Sequence, residues 1–264
     1  MTLNITLVGG PTAVLEIAGL RIVTDPTFDA PRDYPHPLVN KLTKTRGPAF
    51  TQEQIAPVDV VLASHEHEDN LDYSGREFLN TVPLVYTTHE VANQFGDNVI
   101  GMNEYEVVQV PLPDGGELTI TAVPAHHGPE GVWQLIGPVL GFVLTGTDLP
   151  TVYVSGDNSS LEVVEEVRDR LGPIDVAVLF VGGPSFEMIA DGAYITLSNE
   201  MTLEIAQRVL PEATIVPVHE DSWAHFTQNA AGIRALFEEA GKSSQIVVLE
   251  PGDSAVIPFV SAAK

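Results

Sequence analysis

The chain has 264 residues, 44% hydrophobic and 18% charged, which is enough for one large α/β domain with a sizeable core. It has no cysteine, which excludes disulfides, thiolate metal sites and a thiol nucleophile, so any metal must be held by His, Asp, Glu or Asn. The 36 acidic against 12 basic residues give a net charge of −24, a field that repels nucleic acid and anionic lipid.

The start, Met1-Thr2-Leu3-Asn4-Ile5, has no basic region followed by an apolar core, and no apolar run approaches the ~20 residues that cross a bilayer. A soluble, cytoplasmic protein with no membrane span is expected. Ile5 to Val8, Ala13 to Ile17 and Arg21 to Thr24 are short β runs separated by Gly-rich turns, and Asp25-Pro26 ends the third. Residues 27–50 are rich in Pro and turn formers without a sustained period, so a long functional loop is expected there. Arg32, Lys41, Lys44 and Arg46 cluster in it.

Val58 to Ala63 reads as a buried strand, followed by Ser64-His65-Glu66-His67-Glu68-Asp69-Asn70-Leu71-Asp72 and a helix from about Asp72 to Leu79. In extended or turning backbone alternate side chains share a face, so His65 and His67 point at one spot with Asp69 beside it. Neutral imidazoles suit borderline cations and carboxylates harder ones, which makes this stretch a candidate metal site.

Leu84 to Thr87 is a strand, with a helix from Thr88 to Phe95. Strands at 107–110, 118–123, 140–144 and 151–154 form a meander, turning at Gly115-Gly116 and Gly146-Thr147-Asp148. Ser159 with Glu162 reads as a capping box opening a helix that Gly172-Pro173 stops. Ile174 to Val181 reads as a strand buried on both faces, Ser198 to Leu210 as a helix, Thr214 to Val218 as a strand and Ala230 to Ala240 as a helix. Gln245 to Leu249 and Ser254 to Pro258 finish the sheet. No linker or repeat interrupts the pattern, so residues 1–264 read as one α/β domain, two sheets face to face with helices outside.

Four more polar points stand where predicted strands stop: Asp25, His126-His127, Asp157 and His219. Sites in layered α/β folds gather at strand ends, where loops converge over a rigid sheet. The ordered set Val23-Thr24-Asp25-Pro26, Ser64 to Asp72, Pro124-Ala125-His126-His127, Ser155-Gly156-Asp157 and Pro217-Val218-His219 resembles the metallo-β-lactamase-fold hydrolases. Within them it looks most like the branch of L-ascorbate-6-phosphate lactonase-like proteins and N-acylphosphatidylethanolamine phospholipase D.

That resemblance implies an αββα sandwich of two mixed sheets. It implies a first metal on His65, His67 and His127, a second on Asp69 and His219, and Asp157 bridging both. His127 matches the ligand position better than His126, and Asp72 would fix a ligand by hydrogen bonding. It also implies one or two Zn2+ ions and a metal-dependent hydrolase, in which a metal-activated water or hydroxide attacks an ester, lactone or phosphodiester. Asp69 would orient that nucleophile, and His225 is the candidate proton donor to the leaving group. His36 and His89 are read as structural.

Asn70 stands where the family usually has His and offers only its amide oxygen. The second site is then harder, which opens it to Mn2+ or Mg2+, to recruitment of His225 or Glu220, or to standing empty. Gly9-Gly10-Pro11 also lacks the branch's frequent Gly-His pair. A small-molecule substrate is expected. It would be anionic if the basic window at 32–46 covers the site and receives a phosphate or carboxylate. The alternative function, a non-catalytic metal-binding member serving as a binding or structural module, draws on Asn70. Residue composition says nothing of oligomeric state. The excess of 24 negative charges predicts that salt, by screening self-repulsion, raises the melting temperature. A melting temperature unchanged from dilute buffer to about 1 M salt would refute this.

Overall fold

The computed structural model describes residues 2–37, 39–257 and 259. In chain order the strands are β1 (Leu3–Gly9), β2 (Thr12–Ile17), β3 (Leu20–Thr24), β4 (Arg32–His36), β5 (Asn40–Lys44), β6 (Val60–Leu62), β7 (Leu84–Thr87) and β8 (Val99–Gly101). They continue with β9 (Val107–Pro111), β10 (Glu117–Ala125), β11 (Val139–Thr145), β12 (Val152–Val154), β13 (Val176–Phe180), β14 (Thr214–Val218) and β15 (Ser254–Ile257). One sheet has the order β15-β1-β2-β3-β6-β7-β8 and the other β14-β13-β12-β11-β10-β9. Both are mixed: β15 to β3 and β9 to β12 pair antiparallel, while β3-β6-β7-β8 and β12-β13-β14 pair parallel.

The strand sequences explain this layering. Residues two apart point the same way, so Leu3, Ile5 and Leu7 of β1, Phe142 of β11 and Val176, Val178 and Phe180 of β13 meet between the sheets. The alternate residues face outward under helices. Val61 and Val85 lie beneath Phe78 and Leu79 of helix Tyr73–Leu79. Ala177 and Leu179 pack with Val164 and Val167 of helix Leu161–Leu171 and with Phe237 of helix Ala230–Glu239. Strands covered on both faces read as continuous apolar runs, as Val176 to Phe180 does. The result is the expected αββα sandwich. Among the described residues no helix is long and apolar enough to cross a membrane.

Several local expectations need correction. The segment expected as a loop at 27–50 contains the hairpin β4–β5, paired in the register Tyr34 to Leu42. Only Tyr34 and Leu42 turn inward with Lys44, too few apolar residues to write a period. Ser160, not Ser159, caps helix Leu161–Leu171, because Ser159 Oγ already donates to the His126 carbonyl. The helix at 88–95 is one turn, His89–Ala92, and the one expected at 198–210 changes to a π-turn at Ile205–Val209. Residues 245–249 form no strand; Ile246 makes a single bridge to Ile215. β8 was not anticipated, and Pro258, the expected end of the last strand, lies outside the described residues.

The hairpin is held down through Asp72. Its carboxylate caps helix Tyr73–Leu79 by accepting from Gly75 N–H, and also accepts from Phe28 and Asp29 N–H at 2.9 and 2.7 Å. Lys44 Nζ donates to it at 2.8 Å, with both side chains buried. Asp72 therefore fastens the loop after β3 and the hairpin to the His motif, and among the described residues none of its hydrogen bonds reaches a candidate ligand, contrary to the expected role. Gly75 is required where it stands, since a Cβ there would lie 1.8 Å from the Pro26 carbonyl oxygen. Removing one partner of a buried ion pair leaves an uncompensated charge. Lys44→Ala should thus lower stability by about 3–5 kcal/mol in denaturant titration. An unchanged midpoint, with only KM for an anionic substrate raised, would return Lys44 to the substrate-binding role.

Candidate metal centre

The parallel halves of both sheets end at the same edge of the molecule. β3 and β6 are parallel neighbours, as are β12, β13 and β14, and β10 runs with β12 because β11 opposes each. The residues that follow these ends are Asp25, His65 to Asn70, His127, Asp157 and His219. Folding brings ligand atoms of His65, His67 and His127 within 4.8 Å of one another, and does the same for Asp69, Asp157 and His219.

His65 and His127 are each aimed by a neighbour. Asp25 Oδ1 accepts from Ser64 N–H at 2.6 Å, and Ser64 Oγ lies 2.8 Å from His65 Nδ1, which leaves His65 Nε2 facing the cluster 2.9 Å from His67 Nδ1. The Ile195 carbonyl lies 2.6 Å from His127 Nδ1. A carbonyl only accepts, so His127 carries its proton there and presents a lone pair at Nε2, as metal-ligating histidines usually do. His126 instead stacks on Trp133 with ring centroids 4.1 Å apart, outside the cluster.

Asp157 stands between the two triads. Its Oδ2 lies 3.5 Å from His127 Nε2 and 3.9 Å from His65 Nε2, while Oδ1 lies 3.2 Å from His219 Nδ1. Asn70 Nδ2 donates to the same Oδ1 at 3.1 Å, and Asn70 Oδ1 is buried without a partner among the described residues. Both His219 ring nitrogens are likewise buried without a hydrogen bond, with Nε2 3.7 Å from Asp69 Oδ2. His225 Nε2 lies 3.0 Å from that oxygen, and its ring packs against Phe226 and Trp223.

Burial and charge set the protonation. Burial, then the neighbouring histidines, pushes His65 well below the usual imidazole range and His67 down to about 4, so both are neutral at pH 7. Burial pushes Asp69 upward, but the His225 hydrogen bond and the charges of His225, His219 and His67 outweigh it and hold Asp69 well below the carboxylate range. Asp157 is lowered in the same way, burial being overcome by His219, His127 and His65. Burial lowers His219, yet Asp157, Asp69 and Asp25 raise it overall. Asp25, pushed well up by burial with Asp157 adding to it, is the one carboxyl of the group held toward its neutral form. The rings of His65, His67, His127 and His219 and the carboxylates of Asp69 and Asp157 converge here, with buried polar atoms that lack partners between them. These residues fit one or two divalent cations. The backbone is strained at two of these points, with φ of +32° at Asp25 and +60° at His219, as is common where geometry serves a site.

Glu220 does not join the cluster. Burial, followed by the charges of Asp221 and Glu250, pushes it up to about 8, and both its oxygens are buried without partners. His89, near Gly101 and Asn103, is remote from the cluster, in agreement with a structural role. His36 is not merely structural in position: it lines a cavity of about 550 Å³ whose floor is His67, Asp69, His127 and His225, and its ring meets that of His67. The basic window does not line this cavity. Lys44 is buried on Asp72, Lys41 pairs with Asp33, and Arg32 lies over Tyr34 and Tyr73. Apolar residues of the segments after His127 and after β13 line it instead, among them Leu135, Ile136, Phe186 and Ile189. Their apolar clusters in otherwise aperiodic stretches were the only sequence signal.

The Beta-lactamase superfamily domain matches residues 20–220. A UPF0173 metal-dependent hydrolase of Pyrococcus furiosus is 28% identical over 202 residues, covering 75% of this chain and 80% of the relative. A UPF0173 metal-dependent hydrolase of Caldivirga maquilingensis is 25% identical over 250 residues, covering 93% and 94%. Among solved structures, an isothiocyanate hydrolase from Delia radicum gut bacteria superposes with a TM-score of 0.80 at 24% identity, covering 96% of this chain and 99% of that one. A possible metal-dependent hydrolase from Veillonella parvula gives 0.82 at 19% identity, covering 97% and 100%. With the sandwich and the strand-end cluster described above, the matched domain establishes that the chain belongs to the metallo-β-lactamase superfamily.

Proposed function

We propose that this metal-dependent hydrolase of the metallo-β-lactamase fold cleaves an ester, lactone or phosphodiester, with His65, His67 and His127 holding one cation and Asp69, Asp157 and His219 a second. The observation that carries the reading is Asp157, whose two oxygens each face one triad. Three imidazoles suit zinc. The second set, with two carboxylates and the Asn70 amide oxygen beside one imidazole, is harder and admits Mn2+. Bound there, such cations supply Lewis acidity that acidifies water and stabilises charge developing on the attacked carbonyl or phosphoryl oxygen.

The protein's own groups do the rest. Asp69, kept ionised, accepts a hydrogen bond from the attacking water and orients it. His225 Nε2–H rests on Asp69 from the cavity side; in its imidazolium form His225 passes that proton to the departing oxygen, is left as the neutral imidazole and is reprotonated from solvent. Ser64 holds the His65 ring in place, and the Ile195 carbonyl holds His127 in its aimed tautomer.

The non-catalytic module remains as a second reading because Asn70 spends its amide nitrogen on Asp157. Stoichiometric metal with no turnover of lactones, p-nitrophenyl esters or bis-p-nitrophenyl phosphate would select it.

Metal analysis of purified variants tests the ligand sets. His127→Ala should lose the first cation, Asp157→Ala should weaken both, and Asn70→Ala should keep the first; chelation should abolish turnover, and zinc or manganese should restore it. Full metal content in His127→Ala would overturn the assignment. For His225→Ala, kcat should fall about 100-fold on alkyl esters, whose leaving group needs a proton, and far less on p-nitrophenyl esters. Equal losses on both would remove His225 from that role.

A further inference from the structure

Resting on the hydrolase reading, we infer that the substrate is an uncharged ester or lactone whose apolar group lodges in the 550 Å³ cavity above the metal centre, not an anion. The cavity is in the size range of small-molecule sites. On the hairpin side it is walled by Val39 and Leu42, and on the opposite side by Leu135, Ile136, Phe186 and Ile189. Leu135 is 86% exposed although it lines the cavity, which leaves apolar surface in water unless an apolar group covers it.

The charges point the same way. Among the described lining residues Arg76 is the one Lys or Arg, and it is already engaged: Nη2 donates to the Glu66 carbonyl at 2.8 Å and Nη1 to Gln94 Oε1 at 3.1 Å. Glu66, Glu68 and Asp69 line the same cavity. Away from the metal centre, a carboxylate or phosphate on the substrate would therefore meet Glu66, Glu68 and one committed guanidinium, inside a protein of net charge −24. The segment at 32–46 does reach the cavity. It offers His36, Val39 and Leu42 to the cavity, and turns its lysines and arginines elsewhere.

The test separates binding from turnover. Calorimetry on metal-replete protein would compare the amides N-phenylacetamide and N-phenylhexanamide with an N-phenylamide of similar length ending in a sulfonate, a weak metal ligand. Affinity should rise about threefold per added methylene, and the sulfonate should bind at least about tenfold more weakly than the hexanamide. Leu135→Lys and Ile189→Lys, both on short surface helices, should flatten the chain-length series and improve sulfonate binding with metal content unchanged. A flat series in the parent protein, sulfonate binding as tight as the hexanamide, or a series unmoved by both variants would each overturn the inference. The hydrolase reading is judged apart, by kcat/KM on p-nitrophenyl esters. Turnover without a chain-length series sinks the inference alone, and a series without turnover sinks the hydrolase reading alone.

Discussion

Three carboxylates buried at one seam govern this structure. Asp25, Asp69 and Asp157 are all nearly inaccessible, and anionic oxygens removed from water need compensation from cations or hydrogen bonds. Asp25 meets that demand by moving toward its neutral form while accepting from the Ser64 N–H. Asp69 and Asp157 stay ionised and draw His219 and His225 toward them. Two buried anions beside His65 and His67, which burial keeps neutral, make a cation-seeking cluster, and the surrounding fold is arranged to keep it in register.

That arrangement follows from sheet geometry. Two mixed sheets, each with a parallel half, send their strand ends to a common edge, so side chains as far apart in sequence as Asp25 and His219 become neighbours. The apolar sandwich beneath supplies the rigidity. Asp72 supplies the other constraint: it caps a helix, gathers the loop after β3 and takes Lys44 from the hairpin. The same buried pair that ties the hairpin down also keeps a lysine out of the cavity lining. The cavity is left with an anionic, metal-seeking floor and apolar walls.

In the proposed function, chemistry and recognition are divided between different kinds of segment. Strand ends carry the clustered His and Asp side chains, where positional precision matters most. Irregular segments after His127 and after β13 carry the apolar walls, where precision matters less and variation is tolerated.

The chain by itself determined the layered α/β class, most strands and the strand-end His and Asp residues that cluster at the seam, because apolar runs of period two ended by His or Asp are local signals that survive into the structure. It was silent on the hairpin at 32–44, whose strands turn only Tyr34 and Leu42 of their apolar side chains fully inward, and it misassigned Asp72, Ser159 and the basic window. Only the tertiary structure decided those, since a partner distant in sequence chose the outcome. Lys44 finds Asp72, Ser159 finds the His126 carbonyl, and Asp157 meets both triads through contacts that no local pattern encodes.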